Sequence, residues 1–389
     1  MLITADCEGG NSKHIRQVGE DHWAANVVAD QPGGYRYYFH LRLVGDDRPH
    51  RIQLDVYPDP DISDGGIRTF AGDVAAIVWV RRGQSWHAVP YASFAGEDTL
   101  EAGADGYRIT LSVAPREELR LSNVLPIFYS ELGGYLEELT ARYGTYARVG
   151  TLGESAEGRL LHYLSVAEGE GLERRPRVVI AAGEHATEAA GAWAVRGIGE
   201  YLLSSVPEAR AWRRRYRFEL IPMTNPDGAV LGRPCFTAQG ANLIQSYADA
   251  ANGTSPGVAE ASALWRWLRA QPVALYLNFH GYVGPRGHGD PPYEGCYVVP
   301  SSVYSDGDRG RQVALIDALR FNTAALSQHQ QFPIIPATHA AHQLALLDGT
   351  PTALYEPNMV NGRSGCMQCG ITVLRAAMMA LEGGGNSAR

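Results

Sequence analysis

The chain has 389 residues, 45% of them hydrophobic, which is enough to bury an enzyme-sized core and suggests two domains. A formal net charge of −8 and a pI of about 5.9 argue against a nucleic-acid partner, because neutralising phosphates needs a basic face. No stretch reads as a membrane span, and the first residues lack the basic and apolar regions of a secretory signal. The expectation is a cytoplasmic protein with no membrane partner, its five cysteines free thiols.

In chain order, residues 1–121 alternate apolar and polar positions in short segments (35–43, 51–57, 74–80, 107–113) separated by Gly, Asp and Pro clusters. That pattern predicts an antiparallel β-sandwich for packing or recognition, and no catalytic constellation falls within it. A connector at 122–127 leads into a helix predicted over 129–143, and from residue 160 onward strands and helices alternate. Strands are expected at 161–166, 177–182, 217–222, 273–279, 296–299 and 352–356, and helices at 188–204, 258–270, 309–327 and 365–381. Residues 122–389 are therefore predicted to form an α/β domain, a mostly parallel or mixed sheet covered by helices on both faces. Arg213-Arg214-Arg215 reads as a solvated helix end, and Cys366-Met367-Gln368-Cys369 as small residues opening a buried carboxy-terminal helix.

The chemistry collects at strand ends. The buried-strand pattern at 177–182 runs out through Gly183 into Glu184-His185-Ala186-Thr187-Glu188. His185 and Glu188, three residues apart on one helical turn, face the same way and can share a cation. The strand at 273–279 delivers His280 in the same manner, at the carboxyl end where open α/β sheets keep their sites. Two histidines and one glutamate leave a fourth zinc position free, the open type of site. Glu356 is a charged residue ending an otherwise apolar strand, a position poor for stability and suited to a base that activates water.

These residues, in this order and with Thr224-Asn225-Pro226-Asp227-Gly228 and Asn278-Phe279-His280-Gly281-Tyr282 among them, resemble the zinc metallocarboxypeptidase family. The amino-terminal β-domain and the connector Ser122-Asn123-Val124-Leu125-Pro126 resemble its cytosolic carboxypeptidase subgroup. The resemblance implies a carboxypeptidase-like mixed sheet covered by helices, preceded by the β-sandwich. It implies one zinc ion per chain on His185, Glu188 and His280. It also implies Glu356 as general base toward the attacking water and then general acid toward the leaving amine.

The chain departs from the family pattern after the Asn-Pro-Asp-Gly turn. Aligning Gly240 and Leu243 puts Ile244-Gln245 where an Asn-Arg pair grips the substrate carboxylate, and Cys235 where an arginine stabilises the oxyanion. Arg233, two residues away, is the candidate for the oxyanion role, while Asn242 and Gln245 are candidate substrate contacts, and Arg286 or Arg363 could meet a carboxylate from another direction. No Tyr lies between Ser305 and Leu354, so His339, His342, Tyr282 or Tyr293 is expected to fill the space over the substrate. The expected activity is hydrolysis of a peptide or amide bond with atypical recognition of the carboxy-terminal side. The partner is then a peptide or amide-linked substrate, including a peptide or carrier-protein conjugate. An amidase, deacylase or isopeptidase acting on such a conjugate is the alternative, and a catalytically idle binding module the third reading.

Overall fold

The computed structural model describes residues 1–30, 35, 38–61, 77–94, 106–282, 294–323 and 333–383. Ten strands come first: β1 (Leu2–Thr4), β2 (Lys13–Gly19), β3 (His22–Asn26), β4 (His40–Val44), β5 (His50–Tyr57), β6 (Val78–Arg82), β7 (Ser85–Val89), β8 (Tyr91–Phe94), β9 (Gly106–Val113) and β10 (Glu118–Ser122). They make two five-stranded sheets, β1-β4-β10-β6-β7 and β2-β3-β5-β9-β8. Period-two alternation supplies the filling: Leu41 and Leu43 of β4, Leu119 and Leu121 of β10, and Ile52, Leu54 and Val56 of β5 share one core. One pair departs from the antiparallel expectation, β3 with β5. Between them the chain passes through β4 in the other sheet and re-enters in the same direction.

The rest of the chain contains α1 (Tyr129–Tyr143), β11 (Ala147–Glu154), β12 (Leu160–Val166), β13 (Arg177–Ala182), α2 (Ala189–Leu203), α3 (Pro207–Arg215), β14 (Arg217–Ile221), α4 (Pro226–Val230), α5 (Ala259–Arg269), β15 (Leu275–Phe279), β16 (Gly295–Val298), α6 (Asp306–Thr323), α7 (Ala340–Asp348), β17 (Thr352–Glu356) and α8 (Gly362–Gly383). Its seven-stranded sheet runs β11-β12-β14-β13-β15-β17-β16. The four central strands are mutually parallel, and β11, β12 and β16 are antiparallel additions at the edges. Every residue of β13 and β15 is buried, as expected for parallel strands covered on both faces. Ile180 and Leu277 pack under α1, α2, α6 and α8 on one face, and Val179, Ala181 and Tyr276 under α5 and α7 on the other.

The pattern at 147–154 did not suggest a strand, because β11 is an exposed edge with a register shift between Thr151 and Gly153; only pairing with β12 makes it one. The basic run also differs from its reading. Arg213 is buried and donates to the carbonyls of Leu202 and Ser204, while Arg214 stays exposed on Glu168. Helix α8 is long and apolar enough to cross a membrane, yet it packs against α2 and α6 with Cys366 and Cys369 buried.

Register positions the site. Ala182 of β13 pairs with Phe279 of β15, and Phe279 with Tyr355 of β17, so three neighbouring parallel strands end at one level. The chains leaving them carry His185 and Glu188, His280, and Glu356.

Candidate metal centre

The chain leaves β13 through Gly183, whose φ of 77° is costly for any residue with a Cβ. An added Cβ there would also lie 3.1 Å from Met223 Cα. This turn brings His185 and Glu188 over the sheet edge, with Glu188 at the start of α2 where the helix dipole favours a carboxylate. Gly191, in the first turn of α2, lets the helix sit directly on the exit of β15; a Cβ there would fall 2.4 Å from the His280 carbonyl oxygen.

The two imidazoles then meet on one carboxylate. His185 Nδ1 is 2.8 Å from Glu188 Oε1, His280 Nδ1 is 2.8 Å from Glu188 Oε2, and the Gly281 amide donates to Oε2 at 3.1 Å. The rings cross nearly edge to face with centroids 4.8 Å apart. Burial would depress both imidazoles, but the charges of Cys235 and Glu188 raise His185 well above its ordinary value, and Glu188 raises His280 to about 9. Burial alone would raise Glu188, and the two histidines pull it down instead. A donor set of two Nδ1 atoms around one carboxylate, gathered where two strand exits meet a helix start, fits a zinc ion.

The far nitrogens are held as well. His185 Nε2 is 3.2 Å from Asn242 Oδ1, and His280 Nε2 is 3.1 Å from Oε2 of the fully buried Glu184. His339 accepts the Ala341 amide on Nδ1 as the cap of α7, so its proton sits on Nε2 and is donated to the same Glu184 oxygen at 2.9 Å. Two N–H donors keep Glu184 ionised; burial works against this, but His339 and His280 hold its carboxyl well below the usual range. Glu184 thus keeps a proton on His280 Nε2, so Nδ1, whose proton Glu188 holds, is the nitrogen left to face a metal once that proton is displaced. Glu184, His280 and His339 are also close enough to form a metal triad of their own, but this hydrogen bonding assigns the two Nε2 atoms as donors to Glu184.

Glu356 ends β17 beside this cluster. Burial and the Glu188 charge push its carboxyl up to about 7, against the lowering effects of His280 and of a hydrogen bond from Tyr282. Tyr282 is placed for this by backbone pairing beyond the strand ends: its amide donates to the Pro357 carbonyl at 2.9 Å, and the Met359 amide to its own carbonyl at 2.8 Å.

Residues 133–284 match the zinc carboxypeptidase family, peptidase M14. This stretch holds His185, Glu188 and His280 and is similar to a zinc carboxypeptidase domain. Cytosolic carboxypeptidase 2 of Danio rerio is 31% identical over 169 residues, 42% of this chain and 23% of that protein. Human cytosolic carboxypeptidase 1 is 28% identical over 171 residues, 40% of this chain and 14% of that protein. The chain thus spans less than a quarter of the length of these curated relatives. Among solved structures, a metallo-carboxypeptidase from Burkholderia cenocepacia superposes with a TM-score of 0.75 at 19% identity, covering 98% of this chain and 99% of that one. A metallo-carboxypeptidase from Pseudomonas aeruginosa in complex with (2-guanidinoethylmercapto)succinic acid gives 0.74 at 18% identity, with 98% of each chain covered. The zinc carboxypeptidase fold and the β-sandwich before it are therefore those expected.

Within this fold the residues singled out from sequence are distributed unevenly. His185, Glu188 and His280 come together, with Glu356 acting on the same charges. His339 is fully buried behind His280, with Nδ1 on the α7 cap and Nε2 on Glu184. His342 is half-buried on α7, 3.2 Å from the Ile335 carbonyl. Asn242 spends its side-chain oxygen on His185 and on capping Ile244, so it orients a histidine, and Gln245 is exposed. Arg233 lines a separate cleft with Gly10, Asn11, Val28 and Asp30. Arg363 projects from the exposed start of α8, stacked by Trp193. Arg286 and Tyr293 lie outside the described residues.

Sequence reasoning missed Glu184, although its signal, a charge just past the end of a buried strand, is close to the one that pointed to Glu356. It also missed Asp30 and Tyr35. Asp30 accepts the amides of Cys235 and Phe236, and the Tyr35 ring lies 6.5 Å from that of His185. These two come from the β-sandwich, and no local pattern announces them.

Proposed function

We propose that the chain is a zinc-dependent hydrolase of a peptide or amide bond, with His185, Glu188 and His280 holding the metal and Glu356 as the base. The observation that carries this reading is the meeting of both Nδ1 atoms on Glu188 with Glu356 raised to about 7 beside them. Bound there, the metal would supply Lewis acidity toward the scissile carbonyl and make the attacking water acidic. Glu356 takes a proton from that water and returns it to the leaving amine, a task suited to a carboxyl poised near neutral pH. Tyr282 holds Glu356 through its hydroxyl, and the buried Glu184 and Asn242 hold the rings in their metal-facing orientation. Taken up as a soluble enzyme, it fits the cytoplasm, in keeping with the names of its relatives.

Recognition beyond the scissile bond is atypical in this reading. Ile244 and the exposed Gln245 offer no guanidinium fork where the family resemblance puts one, and a neutral amide cannot replace that paired, charged contact. This favours substrates whose leaving group is not read by a free carboxylate, such as side-chain-linked, acylated or amidated conjugates of a peptide or carrier protein.

The test is metal analysis of the purified chain together with hydrolysis of matched peptides in free-acid, carboxy-amidated and side-chain-linked forms. One zinc per chain is expected, with the amidated or side-chain-linked forms cleaved at least as fast as the free acids. Glu356→Gln should keep the zinc and lose turnover on the order of a thousandfold. Strict dependence on a free carboxylate would show that another cation supplies the clamp, and unchanged turnover in Glu356→Gln would remove that residue from the mechanism.

A further inference from the structure

Cys235 is buried at the position where the family resemblance puts the oxyanion arginine. Its sulfur, a ring nitrogen of His185 and a carboxylate oxygen of Glu188 lie within 4.8 Å of one another, and His280 Nδ1 reaches the other side of the same carboxylate at 2.8 Å. A thiol therefore stands against the His185–Glu188 side of the site, while His280 meets the same carboxylate from the other side. A tetrahedral zinc with bonds of about 2.0–2.3 Å keeps its donors ~3.3–3.8 Å apart, so the side chains draw in around the ion to complete the shell.

The sulfur is carried by a segment stitched to the metal ligands. Thr187, inside the His185-to-Glu188 turn, donates to the Pro234 carbonyl from its amide at 3.3 Å and its hydroxyl at 3.0 Å. The amides of Cys235 and Phe236 both donate to Asp30 Oδ2. Gly232, with φ of 64°, turns the segment inward at a place where an added Cβ would lie 2.3 Å from the Gly10 carbonyl oxygen. Both sides of the loop are thus fixed, one by the ligand turn and one by the β-sandwich.

We propose that Cys235 is a fourth protein ligand that closes the metal site at rest, giving a shell of two histidines, one glutamate and one cysteine. This rests on the metal-site reading above. Ligation replaces the thiol proton, which leaves to solvent, and involves no oxidation. A site closed by four side chains is of the structural type, whereas hydrolysis needs one open position. Hydrolysis then proceeds only when the sulfur swings off, and exchanging an arginine for Cys235 both withdraws a cation from the oxyanion and adds a gate to the metal.

The experiment uses the full chain loaded with zinc or cobalt(II) alone. Zinc-edge X-ray absorption should find one sulfur neighbour at about 2.3 Å, and the cobalt protein should show a thiolate-to-metal charge-transfer band. Both signals should vanish in Cys235→Ser and Cys235→Ala while one metal per chain remains. Cys235→Ala should turn over amide substrates about tenfold faster, as when one resting molecule in ten is open. A wild-type shell of nitrogen and oxygen only overturns the proposal and leaves the three-ligand site standing, whereas a chain that binds no zinc overturns both. Sulfur persisting in Cys235→Ala, or turnover there equal to or below wild type, also overturns it.

Discussion

A histidine's two nitrogens are coupled, so what one touches decides what the other can bind. At His280 the deciding contact is Glu184, which is itself held by His339 at the cap of α7. Glu184→Gln replaces an acceptor-only group with one that can also donate, which loosens the tautomer. Zinc affinity should fall about 10–100-fold with little change in fold, measured by competition with a chelator; an unchanged affinity would reduce Glu184 to a packing residue. Charge also sets a pH dependence. Metal must displace the proton that Glu188 holds on His280, whose imidazole is raised to about 9. Apparent zinc affinity should therefore climb with pH and level off near 9, lost again on acidification, and a flat titration from about pH 7 upward would contradict this assignment.

At the scale of elements, two strand exits and a helix start must be packed closely enough for three side chains to touch. Gly191 marks the contact that matters for the site, since its Cβ would press on the His280 and Phe279 carbonyls at 2.4 and 2.6 Å. Gly370 of α8 makes an equally tight contact elsewhere, 2.5 Å from the Ala194 carbonyl. Each Gly→Ala change should cost about 1–3 kcal/mol through overpacking, read by denaturant melts. Only Gly191→Ala should weaken zinc binding as well, and equal zinc affinity in both variants would mean that the α2–β15 contact does not position the ligands. The parallel strands β13, β15 and β17 were legible because burial on both faces writes a continuous apolar run with a charge at its end. The edge strand β11 and the short helix α7 were not, since one depends on its partner's backbone and the other on a histidine cap.

For the whole molecule, the β-sandwich and the α/β sheet layer that follows it are joined by specific contacts. Asp30 receives two amides from the Cys235 loop, Asn11 donates to the Gly232 carbonyl at 2.8 Å, and His40 packs on Phe128 at the head of α1 with ring centroids 5.5 Å apart. Asp30→Ala leaves two buried amides without an acceptor and should lower stability by about 2 kcal/mol or more, visible in denaturant melts; a loss within error would mean that water replaces the carboxylate. His40 is fully buried, and burial, helped by the charge of Arg120, holds its imidazole down at about 3. Between pH 6.5 and that value the unfolded chain takes up a proton that the folded chain refuses. Stability should therefore fall with falling pH by up to ~1.4 kcal/mol per unit from this group alone. His40→Leu should flatten that slope, and equal slopes in the two proteins would assign the acid sensitivity elsewhere.

Short-range pattern along the chain announces strand ends and residue types. Strand ends bearing His185, Glu188, His280 and Glu356 were visible because a polar group at the end of a buried run is costly and so conspicuous. The absence of an Asn-Arg pair at Ile244-Gln245 was equally visible, since it concerns residue type alone. Tertiary structure decided everything that depends on approach between distant segments. Asp30 and Tyr35 come to the site across some two hundred residues of chain, as the 205 positions from Asp30 to Cys235 illustrate. Only packing shows that Asn242 Oδ1 and His339 Nε2 reach the groups around the two site histidines. A spacing can announce which side chains share a helical turn, but only packing fixes which nitrogen of a ring faces the metal and which sulfur stands beside it.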